Sequence, residues 1–107
     1  MELAFKTKAL RALCANQTKA QSTIGKAGAA ALRHVLADLR AAVTLHDMIE
    51  VQFDGTTDSR EASVALDDGY VLNLRANHVS IPRNELGETD WSLVQRIKVM
   101  GVAQDGR

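Results

Sequence analysis

Residues 26–43 read KAGAAALRHVLADLRAAV, and the period of this stretch decides the fold. Leu32, Val35, Leu36, Leu39 and Val43 fall at i, i+3, i+4, i+7 and i+11, the spacing of one face of an α-helix. Alanine, the best helix former, fills much of the rest. The pattern predicts a helix over 26–43 that buries its leucine face. Upstream, Leu3 and Phe5 alternate with Glu2 and Ala4, which suits a short strand. Leu10, Leu13 and Cys14 mark a helical face between Lys6 and Asn16. Asn16 and Gln17 interrupt it, and Gly25 marks a break or turn. Downstream, Thr44 and Asp47 have the spacing of a capping box.

After that turn the period falls to two. Val51 and Phe53 alternate with Glu50, Gln52 and Asp54, and residues 55–60 read as a polar turn. Ser63-Val64-Ala65-Leu66 is a second short strand. Asp67-Asp68-Gly69 is a hairpin signal, because Asp-Gly tolerates the positive φ of tight primed turns. Tyr70, Leu72 and Leu74 alternate on the returning strand. Residues 77–90 form a long loop holding the only proline, Pro82, and Trp91 to Val102 reads as a final strand. Strand, helices, then consecutive strands predict an α+β fold, with an N-terminal strand and helices packed on an antiparallel β-sheet. The 107 residues suit one domain over 1–107.

Composition narrows the function classes. No run approaches the ~18 apolar residues of a membrane span, and the first residues lack a signal-peptide pattern. A lone Cys14 excludes disulfide scaffolds and four-thiolate zinc sites within one chain. These features predict a cytoplasmic protein without a membrane partner. Net charge is zero, but residues 1–48 carry seven Lys/Arg against three Asp/Glu, and residues 49–107 carry six against ten. The +4/−4 division suggests a basic surface on the first half.

Two basic constellations follow. Lys26, Arg33 and Arg40 are spaced by seven, each displaced by only about 20° around the helix. They suit arginine stems covering a core border first, and a phosphate-contacting rim second. Arg96 and Lys98, two apart on a strand, share one sheet face, with Ile97 and Val99 on the other. That pair suits an RNA phosphate, or a solvated face balanced by Glu61, Asp67 or Asp68. His34, His46 and His78 form no metal spacing. Of these, only His78 lies where an acid or base has room to act, although a plain loop role fits it too. Cys14 and Trp91 read as core residues. No phosphate-binding glycine loop and no nucleophile elbow is present.

Particular strings go further. The opening ELAFKTKALRALC (2–14), the helix LRHVLADLRAAVTL (32–45) and the hairpin Asp67-Asp68-Gly69-Tyr70 come in that order. Ile81-Pro82-Arg83, Gly87, Asp90-Trp91-Ser92 and Ile97-Lys98-Val99 follow. Together they resemble the RelE/HigB-type toxins of bacterial type II toxin–antitoxin pairs, in the HigB-like killer-protein subgroup, over nearly the whole chain.

The resemblance implies a RelE-like fold and a ribosome-dependent messenger-RNA endoribonuclease that needs no metal or cofactor. The 2′-hydroxyl would attack the adjacent phosphorus while basic residues hold the phosphates. It implies Arg75, Arg83, Arg96 and Lys98 as phosphate ligands, Arg40 as helper, and Tyr70 or His78 in proton transfer. The partners implied are the ribosome with its messenger RNA and a helix-turn-helix antitoxin; a homodimer stays open. Two departures stand out. Val71 occupies the place of the family's usual hairpin arginine, and the chain ends without the subgroup's Asp-Tyr-His-like tail. Those losses keep two other expectations in view: a non-catalytic toxin-like binding module, and a gyrase inhibitor of the ParE branch.

Overall fold

The computed structural model of the chain describes residues 1–48, 51–53 and 60–104. Strand β1 (Glu2–Phe5) leads into helices α1 (Lys8–Ala15) and α2 (Gln17–Ala41). Strands β2 (Val51–Phe53), β3 (Glu61–Ala65), β4 (Tyr70–Ala76) and β5 (Arg96–Gln104) follow. They form one five-stranded sheet in the order β1-β5-β4-β3-β2. The molecule is an α+β structure in which the helices cover one face of that sheet.

The helices begin on polar caps. Thr7 accepts from Leu10 N at 3.1 Å, and Asn16 accepts from Lys19 N at 3.1 Å. These side chains satisfy amides that the first turn leaves without a partner. Asn16 therefore starts a new helical run rather than merely ending α1. Gly25 marks the expected break: at φ 80°, ψ 170° it is non-helical, so α2 is two helical runs meeting at a kink, and the second starts at the predicted Lys26. Only glycine takes that conformation readily. Gly25→Ala is expected to cost about 1–3 kcal/mol in urea unfolding, the strain of a side chain forced into this region.

The leucine face of α2 is buried as predicted up to Leu39. Leu32, Leu36 and Leu39 are 1%, 2% and 0% exposed. Val35 is half-buried. Val43 departs from the prediction at 67% exposed, because α2 ends at Ala41 and Ala42 is extended (φ −71°, ψ 145°). Beyond it, the Asp47 carboxylate accepts from Val43 N and Thr44 N at 3.1 and 3.2 Å, and Leu45 is fully buried.

The sheet is mixed rather than antiparallel. Strands β2 to β5 form an antiparallel meander, but β1 runs parallel to β5. Side-chain alternation is the same in either direction, so period alone did not reveal this. The β3–β4 connection also differs from a two-residue primed turn. Residues Asp67–Gly69 form a 3₁₀ turn, Gly69 sits at φ 77°, and Leu66 N donates to Tyr70 O at 2.7 Å. This is the three-residue loop closed by a left-handed glycine. The last strand starts at Arg96, not Trp91. Trp91–Leu93 is a 3₁₀ turn in which Asp90 accepts from Ser92 N at 3.2 Å. The polar turn expected over 55–60 falls, apart from Arg60, outside the described residues, as does the end of the tail.

Alternation sorts the sheet into two faces. Leu72, Leu74, Ala76, Ile97 and Val99 are buried beneath the helices with Ala62 and Val64. Their neighbours Ser63, Asn73, Arg75, Arg96 and Lys98 point the other way. Among the described residues, no helix is long and apolar enough to cross a membrane.

Candidate anion-binding face of the sheet

Strand register brings together two of the sequence-predicted cations that lie far apart in the chain. Arg75 on β4 is the direct cross-strand partner of Lys98 on β5. The row continues to Ala4 on β1 and to Glu61 on β3. Like charges directly opposite one another destabilise a sheet, and Glu61 facing Arg75 from its other side offsets that repulsion. Arg75 is half-buried, and its Nε is buried without a hydrogen-bond partner. Such an atom carries a desolvation cost.

Arg96 shares the face, two residues before Lys98. Its Nε meets Glu2 Oε2 at 2.9 Å, a pairing made possible by the parallel β1–β5 register. Both side chains are largely exposed, at 59% and 74%, so the pair is weak and readily exchanged for another anion. Shallow cavities flank the row. One, of 340 Å³, is lined by Glu2, Leu3, Ala4, Asn77 and Arg96. Another, of 310 Å³, lies by Asn73, Glu61 and Met100. At the second, the β4–β5 ladder bulges, with Leu74 opposite Val99 but Asn73 opposite Gly101.

The other predicted site residues go elsewhere. Tyr70 shares the face of Leu72 and packs against the core, opposite the Lys98 face. It also lies five residues from Arg75, about 16–17 Å along the strand. His78 sits just past β4, where its Nε2 accepts from Gln95 N at 3.0 Å. That bond closes the neck of the long loop beside the Asn77 N to Arg96 O bond of 2.8 Å. Arg83 Nη1 donates to Gly87 O at 2.9 Å within its own loop. Lys26, Arg33 and Arg40 are exposed on the helical layer, so one phosphate cannot touch them and Lys98 together.

Arg11 was missed. It lies beside the Leu10-Leu13-Cys14 face of α1, so only its contact with the Phe5 ring, 5.4 Å from the centroid, brings it into view. Trp91 is 8% exposed, and its ring is 5.0 Å from Phe53, which in turn is 5.5 Å from His46. Among the described residues, no three His, Cys, Asp or Glu side chains converge as a metal site would require.

Cys14 is half-buried on the core side of α1. Burial pushes its thiol pKa above the ordinary value, and the nearby Arg40 charge only partly offsets this. The folded state therefore holds its proton longer than the unfolded chain. Stability is undiminished below the ordinary thiol range and declines as pH climbs from there through the raised value. Iodoacetamide should alkylate Cys14 more slowly in the folded chain than in urea at the same mildly alkaline pH.

The fold and this face define an α+β protein with a cluster of cations on the sheet face opposite its helices. Comparison of the chain with protein-family models, with curated proteins and with solved structures gives no match.

Proposed function

We propose that the chain is a RelE/HigB-type toxin whose uncovered sheet face grips the phosphodiester backbone of messenger RNA on the ribosome. A helix-turn-helix antitoxin neutralises it. The observation that carries this reading is the Lys98–Arg75 pair, two cations facing one another across strands with the Arg75 Nε unpartnered. Phosphate is the ligand such a pair suits, since the fork of arginine and the ammonium of lysine both donate to its oxygens. The element order supports it too: a strand, two helices and a meander whose last strand returns beside the first.

The reading is tested by inducing the chain without its partner. Growth arrest with cleavage of ribosome-bound transcripts is the expected result. A second reading has its own support. Tyr70 lies on the opposite face, the His78 Nε2 is occupied, and Val71 replaces an arginine. A protein that binds RNA but leaves transcripts whole and growth unchanged would be a toxin-like binding module that has lost the chemistry.

A further inference from the structure

A second charged site lies on the helical side, away from the Lys98 row. A cavity of 250 Å³ is lined by Leu3 and Phe5 of β1, Arg11, Cys14 and Ala15 of the α1 segment, and Arg40 of α2. Its floor is apolar and its rim carries two guanidinium groups. Neither Arg11 nor Arg40 has a carboxylate partner among the described residues. Arg11 lies over the Phe5 ring, which holds it at the cavity mouth. Arg40 is close enough for its charge to act on the Cys14 thiol.

The same corner carries an open sheet edge. Among the described residues, β1 has β5 on one side and no strand on the other. Glu2 N and Lys6 N donate inward, to Gln95 O at 3.1 Å and Val99 O at 3.0 Å. In a parallel ladder alternate residues bond to the same side, so the N–H and C=O groups of Leu3 and Phe5 point outward from the sheet. An edge of this kind is a template for another strand.

We propose that this edge docks an extended acidic segment of a partner polypeptide, which adds beside β1 and sets a carboxylate between Arg11 and Arg40. The inference stands independently of the nuclease reading. Main-chain hydrogen bonds to Leu3 and Phe5 would give affinity, and the alternating side chain facing the cavity would give specificity. A carboxylate matches the arginine forks, and an apolar neighbour matches the Leu3–Phe5 floor. Nucleic acid would satisfy the arginines but offers no ladder for the outward amides. The +4 balance of residues 1–48 also favours an acidic partner.

The probe is a short fluorescein-labelled peptide alternating glutamate and valine, titrated against the full chain by fluorescence anisotropy. Binding should weaken about tenfold or more in Arg11→Ala and in Arg40→Ala, as loss of a charge-assisted contact requires. Both positions are exposed, so thermal melts of the variants should match that of the parent. The same peptide with its alternate amides N-methylated keeps its charge and should fail to bind. Absence of binding by the unmodified peptide would overturn the proposal, as would equal binding by the N-methylated one or variants within about twofold of the parent. A single-stranded oligonucleotide displaced by the Arg11→Ala and Arg40→Ala changes, with no peptide bound, would reassign the cavity to nucleic acid.

Discussion

Leu36→Ala is expected to destabilise the chain by about 2–5 kcal/mol, whereas Val43→Ala should fall within about 0.5 kcal/mol of the parent. Both residues belong to the same sequence pattern, but only one reaches the core. Leu36 is 2% exposed and sits among Leu32, Leu39 and the sheet residues beneath α2. Truncating it removes buried apolar surface and leaves a cavity that close-packed neighbours refill only in part. Val43 lies two residues past the end of α2, so its truncation exposes nothing new. Domains of this size have about 5–15 kcal/mol in hand, so the leucine variant stands near the edge of unfolding. Urea unfolding with parallel thermal melts measures both, each kcal/mol moving Tm by about 4–8 °C. Equal effects at the two positions would mean that α2 continues to Val43 and buries it.

That contrast marks where sequence stopped predicting structure. The leucine period revealed which face of α2 is buried, because burial and spacing follow from the same geometry. It did not reveal the helix ends, since alanine at 41 and 42 fits a helix or a loop equally well. Gly25 is similar. A glycine inside an alanine-rich stretch signals a break, but whether the helix stops or kinks depends on packing around Ile24 and Gly28, both buried. Trp91 reads as the start of a strand because it is large and apolar. In the fold, Asp90 caps a 3₁₀ turn there and the ring packs on Phe53, a contact 38 residues away. The Arg96–Lys98 face was legible from alternation alone. Its partners were not: Arg75 opposite Lys98 depends on register through a bulge, and Glu2 on Arg96 depends on the parallel first strand. Long-range pairing of this kind leaves no local period to read.

Lys98→Ala and Arg75→Met should each lower affinity for single-stranded RNA by about ten- to a hundredfold, the worth of one charge-assisted phosphate contact. Each should also reduce the salt dependence of binding by about one counterion. Methionine at 75 keeps the buried stem and removes only the charge. Stability separates this role from a structural one. The two cations face each other directly, so Lys98→Ala relieves a repulsion of about 0.2–1 kcal/mol and should melt at or slightly above the parent, whereas Arg75 also faces Glu61 across β3, so Arg75→Met loses an opposite-charge pair of similar worth and should melt near the parent. A residue kept for the fold would lower the melt instead. Arg96 and Glu2 sharpen the test. Because Glu2 holds Arg96 at 2.9 Å, Arg96→Ala should weaken RNA binding less than Lys98→Ala does. Glu2→Ala removes the competing carboxylate and should strengthen binding, most visibly at low salt where exposed charges are least screened. Growth-arrest assays on the same variants carry the result to function. Undiminished RNA affinity and toxicity in the Lys98→Ala, Arg75→Met double variant would remove this face of the sheet from the mechanism.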